Sequence, residues 1–277
     1  MVQTKRRSLP ILELLNSKMI SETSDKIQQA VKEARFLTIS QIAQMFYSKR
    51  KDGSAPKIIY RHPRKGETYE PVAGFDSAYD QLRRMANRGE IKIGIYTAHG
   101  RKIPQLPRLI MHPKDTLSPQ KWEHEIARGN CYAALHNTGK LTGYRSAWTK
   151  DEREEFAKAH GVYFDSQFEL QGSKYTFFLE VDMGTEYWDN ELNEKVEEYA
   201  SLAQSMPQHP FYAVFVANSK DGTDRRERLA AFGKCFQKYG RGKNFVVTDL
   251  DLFIDDPLGK IFANEKLTAP SSLFDLP

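Results

Sequence analysis

Val162-Tyr-Phe-Asp-Ser-Gln-Phe-Glu-Leu170 and Tyr175-Thr-Phe-Phe-Leu-Glu-Val-Asp182 flank the tetrapeptide Gln171-Gly172-Ser173-Lys174. Aromatic and β-branched residues suit strands, and a glycine supplies the positive φ of a tight turn, so the segment predicts an antiparallel hairpin. With Gly172 and Ser173 as the turn, Gln171 faces Lys174, and counting back along both strands puts Asp165 opposite Glu180. Directly opposed residues share a sheet face with Cβ atoms roughly 4.5–5.5 Å apart, and Asp182, two positions on, points the same way. Three like charges on one patch need compensation, and a divalent cation that favours carboxylate oxygens, Mg²⁺ or Mn²⁺, would supply it. Simple solvation of the acids at exposed strand ends is the alternative. The apolar run Tyr175–Leu179 before Glu180 argues against it, because it reads as a strand interior to a sheet.

Beyond this hairpin, a helix is expected from about Glu186 to Ser205, with Trp188, Leu192, Val196, Tyr199 and Ala203 on its apolar face. Lys195 lies at the flank of that face, where it either reaches the carboxylates or pairs with Glu191, while Tyr199 is expected to pack. A buried strand at Phe211–Ala217, a helix at Arg225–Tyr239 and a strand at Asn244–Thr248 complete a mixed α/β sheet. Upstream, a helix is expected over Pro119–His136, with Glu125 at its surface, and a helix or loop over Lys150–Ala159.

The N-terminal part reads differently. Ser24 is a candidate N-cap for a helix carrying Ile27, Val31 and Ala34, which Phe36-Leu37 close, and Thr38 one for a second helix with Ile39, Ile42, Ala43 and Phe46. A third helix begins near Asp76, buries Tyr79, Leu82, Met85 and Ala86, exposes Gln81, Arg83, Arg84 and Arg88, and ends at Gly89. Alternation at Ile91, Ile93 and Ile95, the basic tip containing Arg101 and Lys102, and a second strand around Leu106–Met111 then form a hairpin. Three helices and a basic hairpin give the layout of a winged helix-turn-helix, which sets its third helix in the major groove and its wing on the backbone. The long connection from Tyr47 to Gly74 adds Lys49, Arg50, Lys51, Arg61, Arg64 and Lys65, read as phosphate contacts.

Charge separates the two parts. Of the 277 residues, 40% are hydrophobic and the net charge is +5; residues 1–120 carry +11 and residues 121–277 carry −6. The first part should attract polyanions and the second should not. The apolar run ending at Ala217 is too short to cross a bilayer, and no secretory signal is visible. Only Cys131 and Cys235 occur, far apart and expected to pack, so a disulfide scaffold is excluded and a cytoplasmic location is expected.

His124-Glu125-Ile126-Ala127, Asp165, the run Phe178-Leu-Glu-Val-Asp-Met-Gly-Thr-Glu186 and the following Lys195, Tyr199 and Asp256-Pro257-Leu258-Gly259 carry a resemblance. The chain resembles the replication-relaxation family of plasmids and integrative mobile elements. That resemblance implies an α+β chain with a basic tail over residues 1–22, a winged-helix DNA-binding domain over 23–114 and a domain similar to the PD-(D/E)XK nucleases over 115–277. It makes Asp165 and Glu180 the metal-binding acids, with Asp182 standing where such nucleases place a lysine and Lys195 as a migrated substitute. Phe164 replaces the proline of the motif. Two functions remain open: a DNA-binding protein of a mobile element that nicks DNA with Mg²⁺ or Mn²⁺ through Asp165, Glu180, Asp182 and Lys195, or a non-catalytic initiator, regulator or adaptor. The expected partner is double-stranded DNA, joined by other replication or transfer proteins or a second copy of the chain, and no membrane. Tyrosine-based strand transfer is disfavoured, because no His and Arg cluster surrounds a candidate tyrosine in the sequence.

Overall fold

The computed structural model describes residues 11–47, 73–95, 97–98, 101–102, 108–116, 121–146, 150–183, 191–218, 225–239, 244–264 and 270–276. It is a mixed α+β structure. The first helix, α1, runs over Ile11–Ala34, thirteen residues earlier than the Ser24 cap expected, and takes in the second half of the supposed tail. Its leading Ile11-Leu-Glu-Leu-Leu15 is itself strongly helix-forming, and Ser24 is instead a buried mid-helix residue that accepts a hydrogen bond from Gln81. Gln81 is therefore buried rather than exposed. Arg35, at φ 68°, ends the helix in the left-handed conformation. Phe36–Thr38 then form strand β1, where only a helix terminus was expected.

Thr38 and Gln41 make a reciprocal capping box at the start of α2, Ile39–Phe46. Helix α3, Phe75–Asn87, starts from Gly74 at φ 80°, where a Cβ would lie 2.6 Å from that of Tyr47. Strands β2 (Lys92–Gly94), β3 (Thr97–Ala98), β4 (Arg101–Lys102) and β5 (Leu109–Met111) follow. β3 pairs with β4 at the tip, and β5 runs antiparallel between β1 and β2. The expected basic hairpin is thus present, extended to three strands by β1.

The second sheet has five strands: β6 (Leu141–Arg145), β7 (Ser166–Leu170), β8 (Thr176–Asp182), β9 (Phe211–Ala217) and β10 (Phe245–Asp249), in the order β10-β9-β8-β7-β6. β8, β9 and β10 are parallel, and β7 runs antiparallel to both of its neighbours, β8 and β6. The helices are α4 (Trp122–Asn137), α5 (Lys150–His160), α6 (Glu191–Ser205), α7 (Arg225–Tyr239) and α8 (Leu250–Asp255). Side chains alternate along β8: Phe177, Leu179 and Val181 join one core with α4 and the N-terminal helices, while Phe178 packs with Val196, Tyr199, Phe232 and Phe236 on the other face. The first core runs unbroken from Ile27 to Leu273, so the basic and acidic parts share one interior. Gln41, fully buried, donates to the Ile126 carbonyl and to Asn130 on α4, at 3.0 and 2.7 Å. Among the described residues no helix is long and apolar enough to cross a membrane.

Candidate functional site

The hairpin register follows the sequence count. Ser166 faces Leu179 and Gln167 faces Phe178, which leaves Asp165 and Glu180 as the next positions across from one another at the open end of the hairpin. The turn itself is centred one residue earlier, with Ser173 N–H donating to Leu170 and Gly172 at φ 88°.

Asp165 precedes β7, and its Oδ2 accepts from the Val181 N–H at 2.8 Å and lies 3.1 Å from His124 Nε2. His124 and Arg128 stand four apart on α4 and therefore on one helical face; Arg128 donates to the Asp165 carbonyl at 3.3 Å. Burial works against the Asp165 carboxylate, yet the charge and hydrogen bond of His124, with Lys195 and Arg128, outweigh it and hold this acid well below the usual range. His124 moves reciprocally: burial opposes its charged form, but Asp165 and Glu125 hold it above the ordinary histidine value. Glu125, expected at the surface, is buried and ion-paired with Arg128.

Glu180 meets a different environment. It is 1% exposed; Oε1 accepts from the Tyr199 hydroxyl at 2.6 Å and Oε2 is ion-paired with Lys195. Burial dominates and pushes this carboxyl up to about 7, with repulsion from Asp165 in the same direction and Lys195 and Tyr199 pulling against it. Lys195 and Tyr199 are also four apart, on α6, so one helix supplies both partners of Glu180. Tyr199 packs as expected, fully buried among Phe178, Phe211 and Phe215, and its hydroxyl adds the hydrogen bond.

Asp182 lies on the same sheet face but does not join this pair. Arg228 of α7 closes on it, with Nε donating to Oδ2 at 2.7 Å and a second contact from Nη2. The expected compensation of three acids is therefore divided among protein cations, His124 at Asp165, Lys195 at Glu180 and Arg228 at Asp182, and among the described residues no three His, Cys, Asp or Glu side chains group in a metal-holding arrangement. Asp165 and Glu180 remain as two hard oxygen donors, a set that suits Mg²⁺ or Mn²⁺, which bind one or two carboxylates and otherwise water or phosphate. Both cysteines are buried and free.

His124, Arg128 and Arg228 join the site without being among the candidate site residues of the sequence. The first two have a signal, the i, i+4 spacing of polar groups on an otherwise buried helix; Arg228 has none, as its partner lies 46 residues away. Of the residues expected to contact DNA, Lys49, Arg50, Lys51, Arg61, Arg64 and Lys65 lie outside the described residues. Arg101 and Lys102 form β4, where only the backbone is described. Arg83 and Arg84 are exposed on α3, whereas Arg88 is drawn to Glu90, with Nη2 donating to Oε2 at 3.0 Å.

A family model described as replication-relaxation matches residues 29–217, from α1 through the end of β9. No curated protein and no solved structure matches the chain.

Proposed function

The chain belongs to the replication-relaxation family, and from that premise we propose that it is a DNA-binding protein of a plasmid or other mobile element that nicks duplex DNA during replication or transfer. The reading takes residues 23–114 as a winged helix. The chain order of helix, strand, two helices and a hairpin whose second strand pairs with β1 supports it. It takes the five-stranded sheet with its flanking helices as a PD-(D/E)XK-like nuclease core.

One observation carries the catalytic part: Lys195 Nζ sits on the Glu180 carboxylate although Asp182 fills the strand position expected for a lysine. A lysine arriving from α6 restores the acid, acid, lysine set of Asp165, Glu180 and Lys195. In this scheme Asp165 and Glu180 hold one divalent cation, Lys195 orients the phosphodiester or the attacking water, and Asp182 serves structure through Arg228. The cation, when bound, would neutralise phosphate charge and ease deprotonation of water. His124 and Tyr199 fix the two carboxylates by hydrogen bonds.

The test is cleavage of supercoiled plasmid carrying the element's origin, with Mn²⁺, Mg²⁺ or EDTA, comparing wild type with Glu180→Gln and Lys195→Met. Nicking that requires metal and disappears in both variants is the expected result. A non-catalytic initiator or adaptor is the second reading, favoured by the engagement of both Glu180 oxygens by Tyr199 and Lys195. DNA binding with no metal-dependent cleavage by wild type would select it.

A further inference from the structure

We propose that Tyr79, Arg83 and Arg108 form a clamp for the phosphate backbone of duplex DNA, joining α3 to the foot of the β2–β5 hairpin. The inference rests on the DNA-binding reading above and adds two residues, Tyr79 and Arg108, that it did not use.

Phe75, Tyr79 and Arg83 follow one another at i, i+4 along a single face of α3. The Phe75 and Tyr79 rings stack at 6.4 Å and 16° between planes. The Arg83 guanidinium lies 5.8 Å from the Tyr79 ring centroid. Arg108, next to the first residue of β5, brings a second guanidinium to 5.5 Å from the same ring, and its Nη1 donates to the Tyr79 hydroxyl at 2.8 Å. A single aromatic ring thus holds two cations from segments 25 positions apart in sequence.

What the two cations lack, among the described residues, is a counter-charge. Arg35, Arg88, Arg128 and Arg228 each face a carboxylate, on Asp115, Glu90, Glu125 and Asp182 respectively. Arg83 and Arg108 are both exposed, and among the described residues neither has a carboxylate within ion-pair distance. Two exposed guanidinium groups, 5.8 and 5.5 Å from one ring centroid, concentrate positive charge that the phosphates of a bound polyanion would neutralise. Planar guanidinium forks match phosphate oxygens, and a tyrosine platform reduces the freedom each arginine loses on binding. Arg84, also exposed on α3, extends the positive surface along the helix, as suits an extended polyanion better than a small free anion.

The test is fluorescence anisotropy of a labelled duplex of mixed sequence with the full chain, between about 50 and about 200 mM salt. Removing a cation that neutralises one phosphate lowers the slope of log K against log salt by about 0.9. Arg83→Gln and Arg108→Gln should each do so and weaken binding equally on unrelated sequences. Tyr79→Leu removes no charge, yet should reproduce this effect because it takes away the platform. Tyr79→Phe, which keeps the ring, should retain most of the binding. Lys174→Gln, which removes an exposed cation beside Tyr175, should keep the wild-type slope. Wild-type slopes in both arginine variants would overturn the clamp while leaving DNA binding intact. Absence of any duplex binding by wild type would overturn both.

Discussion

Raising the pH of the metal-free protein should weaken it, and Glu180→Gln should remove most of that effect. Glu180 is 1% exposed, and its carboxyl is pushed from the ordinary 4.5 up to about 7. The folded chain therefore binds this proton more tightly than the unfolded chain does. Its stabilising contribution is complete below the unfolded value and is lost as pH rises through the folded one, on the order of a few kcal/mol between about pH 5 and about pH 8. Asp165 runs the other way: held low by His124 despite burial, it stabilises above the ordinary aspartate value and fails only in acid, so it is flat across this window. His124, held above its usual value by Asp165 against burial, loses stability in the same direction as Glu180. The quantity to compare is thus the difference between wild type and Glu180→Gln, which keeps an acceptor for Tyr199 and removes the titration. Urea unfolding in EDTA at several pH values measures it. Parallel plots of unfolding free energy against pH for the two proteins would refute the assignment of the buried proton to Glu180.

Two further outcomes concern the supports of the site. Arg228→Met leaves Asp182 in a buried position without its cation and should destabilise the chain by about 3 kcal/mol in urea unfolding, with much of the loss recovered when Asp182→Asn is added. Gly129→Ala should destabilise by about 1–2 kcal/mol although alanine is the better helix former: its Cβ would lie 2.7 Å from Gln41 Oε1, and Gln41 is tied to Thr38, Ile126 and Asn130.

The hairpin was legible because everything that fixes it is local: two strands, a glycine turn and a side-chain period of two, which together set which residues face each other. The same holds for the Thr38 cap of α2 and for the buried strand β9. What escaped was decided at long range. β1 is three residues whose only claim to be a strand is pairing with β5, more than 70 positions away. β6, Leu-Thr-Gly-Tyr-Arg with a register shift between Leu141 and Gly143, has no alternating pattern to read, and its place at the sheet edge follows from β7. For the site, sequence spacing brought Asp165, Glu180 and Asp182 to one face and Lys195 within reach, but could not foresee that Arg228 would withdraw Asp182. Opposite charges find each other through the fold, and nothing within several residues of either one records the pairing.

The position of α4 explains why one chain should combine a basic helical unit with a carboxylate pair. Near its N-terminus His124 and Arg128 hold Asp165, and between and beyond them Ile126 and Asn130 accept the amide of Gln41 from α2. The helix is thus fixed at once to the element that leads into α3 and to the acid end of the five-stranded sheet. Gly129, in the same turns, allows Gln41 to approach so closely. A domain linker would let the two surfaces move independently; a shared, close-packed helix does not, because packed interiors transmit displacement instead of absorbing it. On the proposed function, duplex held by α3 and the hairpin would meet Asp165 and Glu180 at a distance set by α4, and the spacing between bound site and nick would be a property of the fold.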